Sequence, residues 1–313
     1  MKLVILDAAT IGTQSELAVF QRFGELEIHE ATKPEETAAR ISGMDCVVTN
    51  KVVIDKGLID ANPQLKLVCI TATGTNNIDL EHAARKGLIV RNVAGYATES
   101  VAQFTFSALF HLISRLDLED EHVRSGHYYD EGLFTHFSGC FSELKGKTFG
   151  IIGLGNIGRR IAEIATAFGT EVVYYSTSGQ NTDQPYQQLS LEELLKRADV
   201  ISINAPLNDR TAGLIHRGNL RRCKPDAILI NTGRGGIVVE QDLADALDAG
   251  LLGAAALDVF EAEPLSPDNP LLHLEDKSKV LLSPHNAWTS REARAELIKR
   301  TAGNVADFLE KTH

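Results

Sequence analysis

The chain has 313 residues, of which 43% are hydrophobic and 23% charged, typical of an ordinary globular protein large enough for two domains. Its formal net charge of −11 argues against nucleic acid or an anionic membrane as a partner. No apolar run approaches transmembrane length, and residues 1–7 are too short for a signal-peptide core, so we expect a cytoplasmic protein.

The cysteines give no sign of a disulfide framework. Four are scattered along the chain without a C-x-x-C pair: Cys46, Cys69, Cys140 and Cys223. We interpret them as small core or surface residues of a reducing compartment, and we expect no metal site.

The first part of the chain alternates short apolar strands with helical stretches. The pattern predicts helices around 17–23 and at 34–41, and strands at 2–6, 26–29, 46–49, 65–71 and 89–92. Strands that alternate with helices indicate βαβ units and a parallel sheet. Residues 1–92 are therefore predicted to form one α/β unit, without a dinucleotide fingerprint of its own.

Residues 98–118 are mostly apolar and predict one long buried helix. The segment 124–144 that follows is predicted to be rich in loops, and it carries several aromatic residues: Tyr128, Tyr129, Phe134, Phe137 and Phe141. Aromatic residues in an exposed connection are typical of a dimer arm or a lid, but they can also cover the edge of a core. The sequence leaves these interpretations open.

Residues 148–158 read TFGIIGLGNIG and carry the strongest single motif. An apolar strand precedes the G-x-G-x-x-G spacing of Gly153, Gly155 and Gly158, and an amphipathic helix follows over 156–168, closed by Gly169. A dinucleotide site requires this order, because the glycines allow a tight turn, close approach of the pyrophosphate and close packing of helix on strand. The helix N-terminus then presents N–H groups to the phosphates.

The end of the next strand, at 172–175, decides which dinucleotide binds. An acid about 20 residues past the first glycine would hydrogen-bond the ribose of NAD, but Ser176 stands there, followed by Thr177 and Ser178. Neither an acid nor a base is present at this point. The hydroxyl groups suit a ribose or a phosphate, so the sequence leaves NAD and NADP both open.

The remaining pattern completes a second sheet. It predicts helices at 191–197 and 240–249, and strands at 200–204, 227–231, 253–259 and 280–282. The helical tail has no strand left to extend, so we expect it to cover the first unit. The predicted fold is α/β, with two doubly wound (Rossmann-like) parallel-sheet domains and a cleft between them. A discontinuous substrate domain comprises 1–99 and 287–313, and a dinucleotide-binding domain comprises 100–286.

Three short stretches at the carboxyl ends of predicted strands carry candidate chemistry, since ligands bind there in open α/β sheets. Arg234 lies in the glycine-rich loop 231–236, where it can clamp a carboxylate. Asp258 lies within an apolar strand, and Glu263 follows it. His285 follows the last strand, and a histidine paired with a carboxylate can carry a proton at neutral pH.

These motifs together closely resemble the D-isomer-specific 2-hydroxyacid dehydrogenases. The resemblance rests on GLGNIG at 153–158, NTGRGG at 231–236, LDVFEAEP at 257–264 and SPHNAW at 283–288, and it extends to ATGTNNID at 72–79 and NVAGYATESVA at 92–102. It covers nearly the whole chain. The sequence from His285 to Arg294 looks most like the glycerate dehydrogenase (hydroxypyruvate reductase) branch.

The resemblance implies a role for each matching residue. His285 would be the acid/base, Glu263 its partner, and Arg234 the group that holds the substrate carboxylate. Thr73, Gly74 and Thr75 would complete the carboxylate site from the other domain. Asp258 would bind the nicotinamide carboxamide. The remaining cofactor contacts would come from Gly153, Gly155, Asn156, Ile157, Gly158, Ser176, Ala205, Thr232 and Gly233.

The implied reaction is hydride transfer between NAD(P)H and a small 2-keto acid, with hydroxypyruvate or glyoxylate favoured, by an enzyme implied to be a homodimer. A D-lactate-type or other 2-keto acid reductase is the alternative within enzymes, and phosphite oxidation stays open. Formate dehydrogenases of similar sequence carry Gln where this chain has Glu263. A nucleotide-sensing binding protein, similar to the corepressors that resemble this family, is the rival from another class. The absence of a disordered tail favours an enzyme.

Overall fold

The computed structural model of the chain describes residues 1–137, 141–180 and 182–312. The chain divides into two compact units, one made of Met1–Ala97 with Thr289–His313 and the other of Thr98–Trp288. Cys140, one of the four cysteines considered above, lies outside the described residues. Cys46, Cys69 and Cys223 are free and buried, and burial raises the pKa of the Cys223 thiol to about 11.

The strands are β1 Lys2–Ile5, β2 Glu25–Ile28, β3 Cys46–Thr49, β4 Leu67–Ile70, β5 Ile89–Arg91, β6 Thr148–Ile152, β7 Glu171–Tyr175, β8 Gln187–Gln188, β9 Val200–Ile203, β10 Ile228–Asn231, β11 Ala254–Leu257 and β12 Val280–Leu282. The α-helices are α1 Gln14–Leu17, α2 Pro34–Ile41, α3 Lys56–Ala61, α4 Leu80–Arg85, α5 Thr98–Ser114, α6 Leu116–Arg124, α7 His127–Glu131, α8 Asn156–Ala167, α9 Leu191–Arg197, α10 Arg217–Leu220, α11 Glu240–Asp248 and α12 Arg291–Thr312.

The first unit is built on a parallel sheet in the order β2-β1-β3-β4-β5. Alternate strand residues point to opposite faces, so each face has its own apolar core. One core contains Val4, Val47 and Val68 with residues of α2, α3 and α4. The other contains Leu3 and Ile5 together with residues of α1 and of α12. The C-terminal helix therefore packs on the sheet of the first unit.

The second unit is built on a parallel sheet in the order β12-β11-β10-β9-β6-β7-β8. Helices α5 and α8 contribute to the apolar core on one face, and α9 and α11 to the core on the other. The chain leaves β6 toward β7 and later returns to the opposite side of β6 as β9. The order of strands reverses between β6 and β9, which is where doubly wound sheets bind ligands.

The two parallel sheets with helices on their faces confirm the predicted fold class. The cleft between the domains stays a prediction. None of the described helices is long and apolar enough to cross a membrane.

The single helix predicted over 98–118 was wrong at its C-terminal end. Helix α5 ends at Ser114, Arg115 adopts a left-handed backbone conformation with φ of 48°, and α6 begins at Leu116. The guanidinium of Arg115 donates to the carbonyl of Ser278 at 2.6 Å. This contact between residues far apart in sequence accompanies the end of α5. The periodicity of apolar residues could not predict it. The segment 124–144 also contains helix α7, where loops were predicted.

Candidate active site

The turn after β6 shows a separate steric reason for each of its three glycines. Gly153 has φ of 91°, and a Cβ there would lie 3.0 Å from the Cα of Ala205. A Cβ on Gly158 would overlap the carbonyl oxygen of Gly153, so the helix could not pack as close to the turn. A Cβ on Gly155 would meet no described atom within 4 Å. That open space is the one a ligand's pyrophosphate would need.

The N-terminus of α8 suits an anion. Gly155 is its N-cap, and among the described residues no side chain caps the first turn. The backbone N–H groups at Asn156 and Ile157 thus begin the helix at its positive end. The side chain of Asn156 is engaged locally, since its Oδ1 accepts a hydrogen bond from Arg159 at 2.6 Å. The first turn therefore offers backbone donors.

A cavity of about 470 Å³ lies where the strand order reverses. It is lined by the turns that follow three neighbouring strands, β6, β7 and β9, and its lining residues are Gly153, Leu154, Gly155, Ser176, Thr177, Ser178, Asn204, Pro206, Asn208, Asp209 and Arg210. Oδ1 of Asn204 is buried and has no hydrogen-bond partner among the described residues. Burying a polar atom without a partner is costly, so this acceptor suits a ligand hydroxyl or amide donor. These residues fit a dinucleotide.

The loop after β10 holds Arg234 through its buried neighbour Asn231. Asn231 Nδ2 donates to the carbonyl of Arg234 at 2.9 Å, and its Oδ1 accepts from the N–H of Gly233 at 3.0 Å. The guanidinium of Arg234 donates to the carbonyl of Gly233 at 2.7 Å and is half-buried. Thr232 lies at the start of this loop, with its hydroxyl 3.3 Å from that of Thr105.

Gly235 brings the same loop against the segment that follows β11. A Cβ on Gly235 would overlap the carbonyl group of Phe260. Only a residue without a side chain allows these two backbones to approach so closely. The loop of Arg234 therefore lies against the segment that leads to Glu263, three residues after Phe260.

Asp258, at the end of β11, anchors the loop that carries the candidate histidine. Oδ1 accepts hydrogen bonds from the hydroxyl of Ser283 at 2.6 Å and from the N–H of Asn286 at 2.8 Å. Oδ2 accepts from the N–H of Ala287 at 2.8 Å. Burial raises the pKa of this carboxyl, although these hydrogen bonds act in the opposite direction. The carboxylate oxygens are thus used within the protein, and binding of a carboxamide by Asp258 stays a prediction.

His285 and Glu263 form a direct pair. Nδ1 of His285 lies 2.8 Å from Oε2 of Glu263, while Oε1 of Glu263 accepts a hydrogen bond from the N–H of Phe260 at 3.1 Å. The backbone of His285 is left-handed, with φ of 55°, and its N–H donates to the carbonyl of Asp258 at 2.9 Å. Since an ionised carboxylate only accepts, Nδ1 is the donor, and Nε2 is the nitrogen that can exchange a proton with a ligand.

The second unit contains all of the candidate residues except the Thr73–Thr75 turn. That turn follows β4 in the first unit, where the Thr73 hydroxyl donates to the carbonyl of Val93 at 3.2 Å and Asn92 Nδ2 donates to the carbonyl of Thr73. Sequence reasoning missed Asn204, Ser283 and Arg210. Of these, Arg210 was visible as a basic residue soon after a predicted strand, but strand adjacency was needed to place it.

The three side chains with chemistry stand at the carboxyl ends of adjacent parallel strands, because Arg234 follows β10, Glu263 follows β11 and His285 follows β12. An arginine can hold an anion, and a histidine held by a carboxylate can donate or accept a proton. The arrangement therefore suits acid–base chemistry on a small anionic ligand next to a bound dinucleotide.

Comparison with known proteins gives consistent matches. Residues 106–287 match the family model described as the NAD binding domain of D-isomer specific 2-hydroxyacid dehydrogenases. A hydroxypyruvate reductase of Blautia hydrogenotrophica is 32% identical, over 99% of this chain and 97% of that protein. A glyoxylate reductase of Aeropyrum pernix is 40% identical, over 82% of this chain and 77% of that protein. The solved structure of an acyclic imino acid reductase in complex with NADPH and D-Arg has a TM-score of 0.87 at 30% identity and covers 99% of this chain and 98% of that one.

Proposed function

Because the chain belongs to the D-isomer-specific 2-hydroxyacid dehydrogenase family, we propose that it reduces a small 2-keto acid to the D-2-hydroxy acid with a nicotinamide dinucleotide. Hydroxypyruvate and glyoxylate are the favoured substrates, which the names of the two relatives support. The observation that carries the proposal is the His285–Glu263 pair at 2.8 Å, on strands adjacent to the one that ends at Arg234. The second unit is proposed to hold the dinucleotide.

Each side chain then has one task. The guanidinium of Arg234 holds the substrate carboxylate through its N–H groups, which orients the keto group. When bound, the dinucleotide supplies the hydride that the carbonyl carbon receives. His285 donates the proton from Nε2 to the carbonyl oxygen, which becomes the hydroxyl. Glu263 stabilises the charged imidazole before the transfer, and Asp258 holds the loop that presents it.

The Thr73–Thr75 turn of the first unit is proposed to bind the substrate carboxylate through its backbone. Support comes from the position of this turn at the carboxyl end of β4, the end at which open parallel sheets bind ligands.

The chain is proposed to form a homodimer through an apolar surface of the second unit. Large apolar side chains are exposed there: Leu116 and Phe141, and above all Phe134 at 92% and Phe137 at 81%. Patches of this kind are unusual on a monomer and typical of an interface. A mass measurement by light scattering should give twice the mass of the chain. Replacement of Phe134 and Phe137 by Ser should shift the mass toward one chain.

The decisive experiment is a substrate panel: oxidation of NADH and NADPH with hydroxypyruvate, glyoxylate, pyruvate and a bulkier 2-keto acid. We expect the highest kcat/KM with hydroxypyruvate or glyoxylate. His285→Ala should lower turnover by about 10² to 10⁴-fold, the usual contribution of a general acid, with little change in dinucleotide affinity. His111→Ala, at an exposed histidine of α5, is the control. Tight dinucleotide binding without turnover on any substrate would refute the enzyme and favour the nucleotide sensor.

A further inference from the structure

The hydroxyl residues that follow β7 leave the choice between NAD and NADP open. The loop after β9 places the positive charge of Arg210 beside them. Nη1 of Arg210 donates a hydrogen bond to the carbonyl of Ser178 at 3.2 Å. The arginine is 32 positions away in sequence, yet it shares the rim of the 470 Å³ cavity with Ser176, Thr177 and Ser178. A guanidinium and several hydroxyl groups thus stand together where a dinucleotide ribose would lie.

The loop that carries Arg210 is held by hydrogen bonds at its base. Oδ1 of Asn208 accepts from the N–H of Arg210 at 2.9 Å, and the N–H of Asn208 donates to the hydroxyl of Thr211 at the same distance. The hydroxyl of buried Thr211 donates in turn to the carbonyl of Pro206 at 2.6 Å. The backbone at Arg210 is therefore fixed by hydrogen bonds. This lowers the entropic cost of binding a ligand through its guanidinium.

The hydroxyl of Ser176 is oriented for an anion as well. Its Oγ accepts a hydrogen bond from the N–H of Gly179 at 3.1 Å, so the hydroxyl proton can be donated to a ligand. An acid at this position would repel a phosphate, and none is present. Among the described residues that line the cavity, Asp209 is the one acid, and it lies next to Arg210 in the same loop.

We propose that Arg210, with the hydroxyl groups of Ser176 and Ser178, binds the 2′-phosphate of NADPH and makes this chain select NADPH over NADH. The selection deepens the proposed function, since it concerns the dinucleotide of the same reaction. A guanidinium suits a phosphate because it can make two parallel charge-assisted hydrogen bonds, whereas the ribose hydroxyl of NADH offers no charge to pair with.

The test is direct binding without substrate, so that its outcome does not depend on turnover. Titration should show NADPH bound at least about tenfold more tightly than NADH. Arg210→Gln should weaken NADPH binding by about tenfold to a hundredfold and leave NADH binding unchanged. Arg221→Gln, at an exposed arginine, is the matched control. Asp209→Asn should strengthen NADPH binding modestly, and higher salt should weaken it.

Equal affinity for the two dinucleotides, or an equal loss of both in Arg210→Gln, would overturn the selection and leave the 2-keto acid reductase intact. Conversely, a clear NADPH preference with no turnover on any 2-keto acid would refute the reductase and retain the selection.

A second and independent observation concerns a cluster of side chains on helices α6 and α7 and the chain beyond. Oε2 of Glu131 lies 3.0 Å from Nδ1 of His136, and its Oε1 lies 3.6 Å from Nε2 of His122. One ligand atom from each of these three residues lies within 4.8 Å of the others. The spacing H-x8-E-x4-H matches no common metal motif, which is why the sequence did not reveal it.

The cluster contains an unused ligand atom. Nε2 of His122 is buried and has no hydrogen-bond partner among the described residues. The rings of His122 and His136 stack at 3.7 Å with an angle of 23° between their planes. The stack holds the two rings side by side next to the carboxylate of Glu131.

We propose that His122, Glu131 and His136 bind a divalent transition-metal ion such as Zn²⁺, with water as the fourth ligand. Two imidazoles and a carboxylate form a donor set that Zn²⁺ accepts in tetrahedral geometry. His127 lies close by but outside the set, since its ring centroid is 5.7 Å from that of His122 and its Nδ1 lies 2.9 Å from the Ser125 hydroxyl.

Calorimetric titration of the metal-free protein with Zn²⁺ should show one site, and Co²⁺ should give the visible absorption of a tetrahedral complex. His122→Ala, Glu131→Gln and His136→Ala should each weaken binding by at least about tenfold, the usual loss on removing one protein ligand or its support. His127→Ala should bind as the wild type does. No binding, or binding that none of the three variants weakens, would overturn the site.

Discussion

Nδ1 of His285 lies 2.8 Å from Oε2 of Glu263, although 22 positions separate the two residues in the chain. They meet because β11 and β12 are adjacent parallel strands, with Leu257 paired to Leu282. Glu263 is itself held by the N–H of Phe260. The hydrogen bond at Nδ1 therefore fixes the imidazole, and Nε2 is left to exchange a proton with a ligand.

Glu263→Gln is expected to lower turnover on the 2-keto acid. Glutamine keeps an acceptor for Nδ1 of His285 but lacks the negative charge that pairs with a charged imidazole, so kcat should fall by up to about 10² to 10⁴-fold, the usual contribution of a general acid. The measurement is kcat for the 2-keto acid, with dinucleotide affinity as the control. Turnover equal to that of the wild type would contradict the role of Glu263.

Arg234→Ala is expected to raise KM for the 2-keto acid. Each hydrogen bond between a guanidinium and a carboxylate contributes about 1.5–3 kcal/mol, so kcat/KM should fall at least about tenfold to a hundredfold. Arg234→Lys should retain only part of the wild-type kcat/KM, because an ammonium cannot make the bidentate contact with a carboxylate. Added guanidinium ion should partly rescue the alanine variant. Failure of rescue, with an unchanged KM, would remove Arg234 from the substrate site.

Gly235→Ala is expected to destabilise the second unit and lower activity together. A methyl group there overlaps the carbonyl of Phe260, and relief of such overpacking costs about 1–3 kcal/mol. Gly303→Ala is the matched control, since a Cβ at that position of α12 meets no described atom within 4 Å. In a helix interior it should stabilise by up to about 1 kcal/mol. Urea unfolding measures the change in free energy of unfolding for both variants. Equal changes in Gly235→Ala and Gly303→Ala would count against close packing at Gly235.

Asp258→Asn is expected to destabilise the loop of His285 and lower turnover. An amide nitrogen cannot accept from the N–H groups of Asn286 or Ala287, and a lost buried hydrogen bond costs about 1–3 kcal/mol. Ser283→Ala, which removes only the hydroxyl donor, should have a smaller effect. Activity of Asp258→Asn equal to the wild type would show that the loop does not depend on this carboxylate.

The loss of unfolding free energy in Asp258→Asn, relative to the wild type, should depend on pH. Burial raises the pKa of Asp258 above the ordinary 3.8, so the folded wild type binds this proton more tightly than the unfolded chain. The wild type therefore loses stability as pH rises from about 4 through the raised pKa, and the asparagine variant does not titrate here. The difference in free energy of unfolding between the wild type and Asp258→Asn should therefore narrow as the pH rises. A difference that widens would mean that folding lowers the pKa of Asp258.

Several strands and helices were predictable from sequence to within a residue or two, whereas the short elements α3, α4, α10 and β8 were not predicted. Helix α2 and strand β3 were placed at their observed bounds, because proline, apolar alternation and turn residues act over short distances. Contacts from far along the chain were not predictable. Arg115 breaks the predicted long helix while its side chain bonds Ser278, and helical periodicity contains no record of that contact.

From sequence alone, the glycine turn after β6, the strands that precede Arg234, Glu263 and His285, and the family were all identified, because each depends on residues that are neighbours in the chain. The tertiary structure alone decided which strands are adjacent. That adjacency pairs Glu263 with His285, lets Asp258 hold the histidine loop and brings Arg210 to Ser178. The physical reason is that hydrogen bonds and charge pairs act over a few ångströms of space, whatever the separation in sequence.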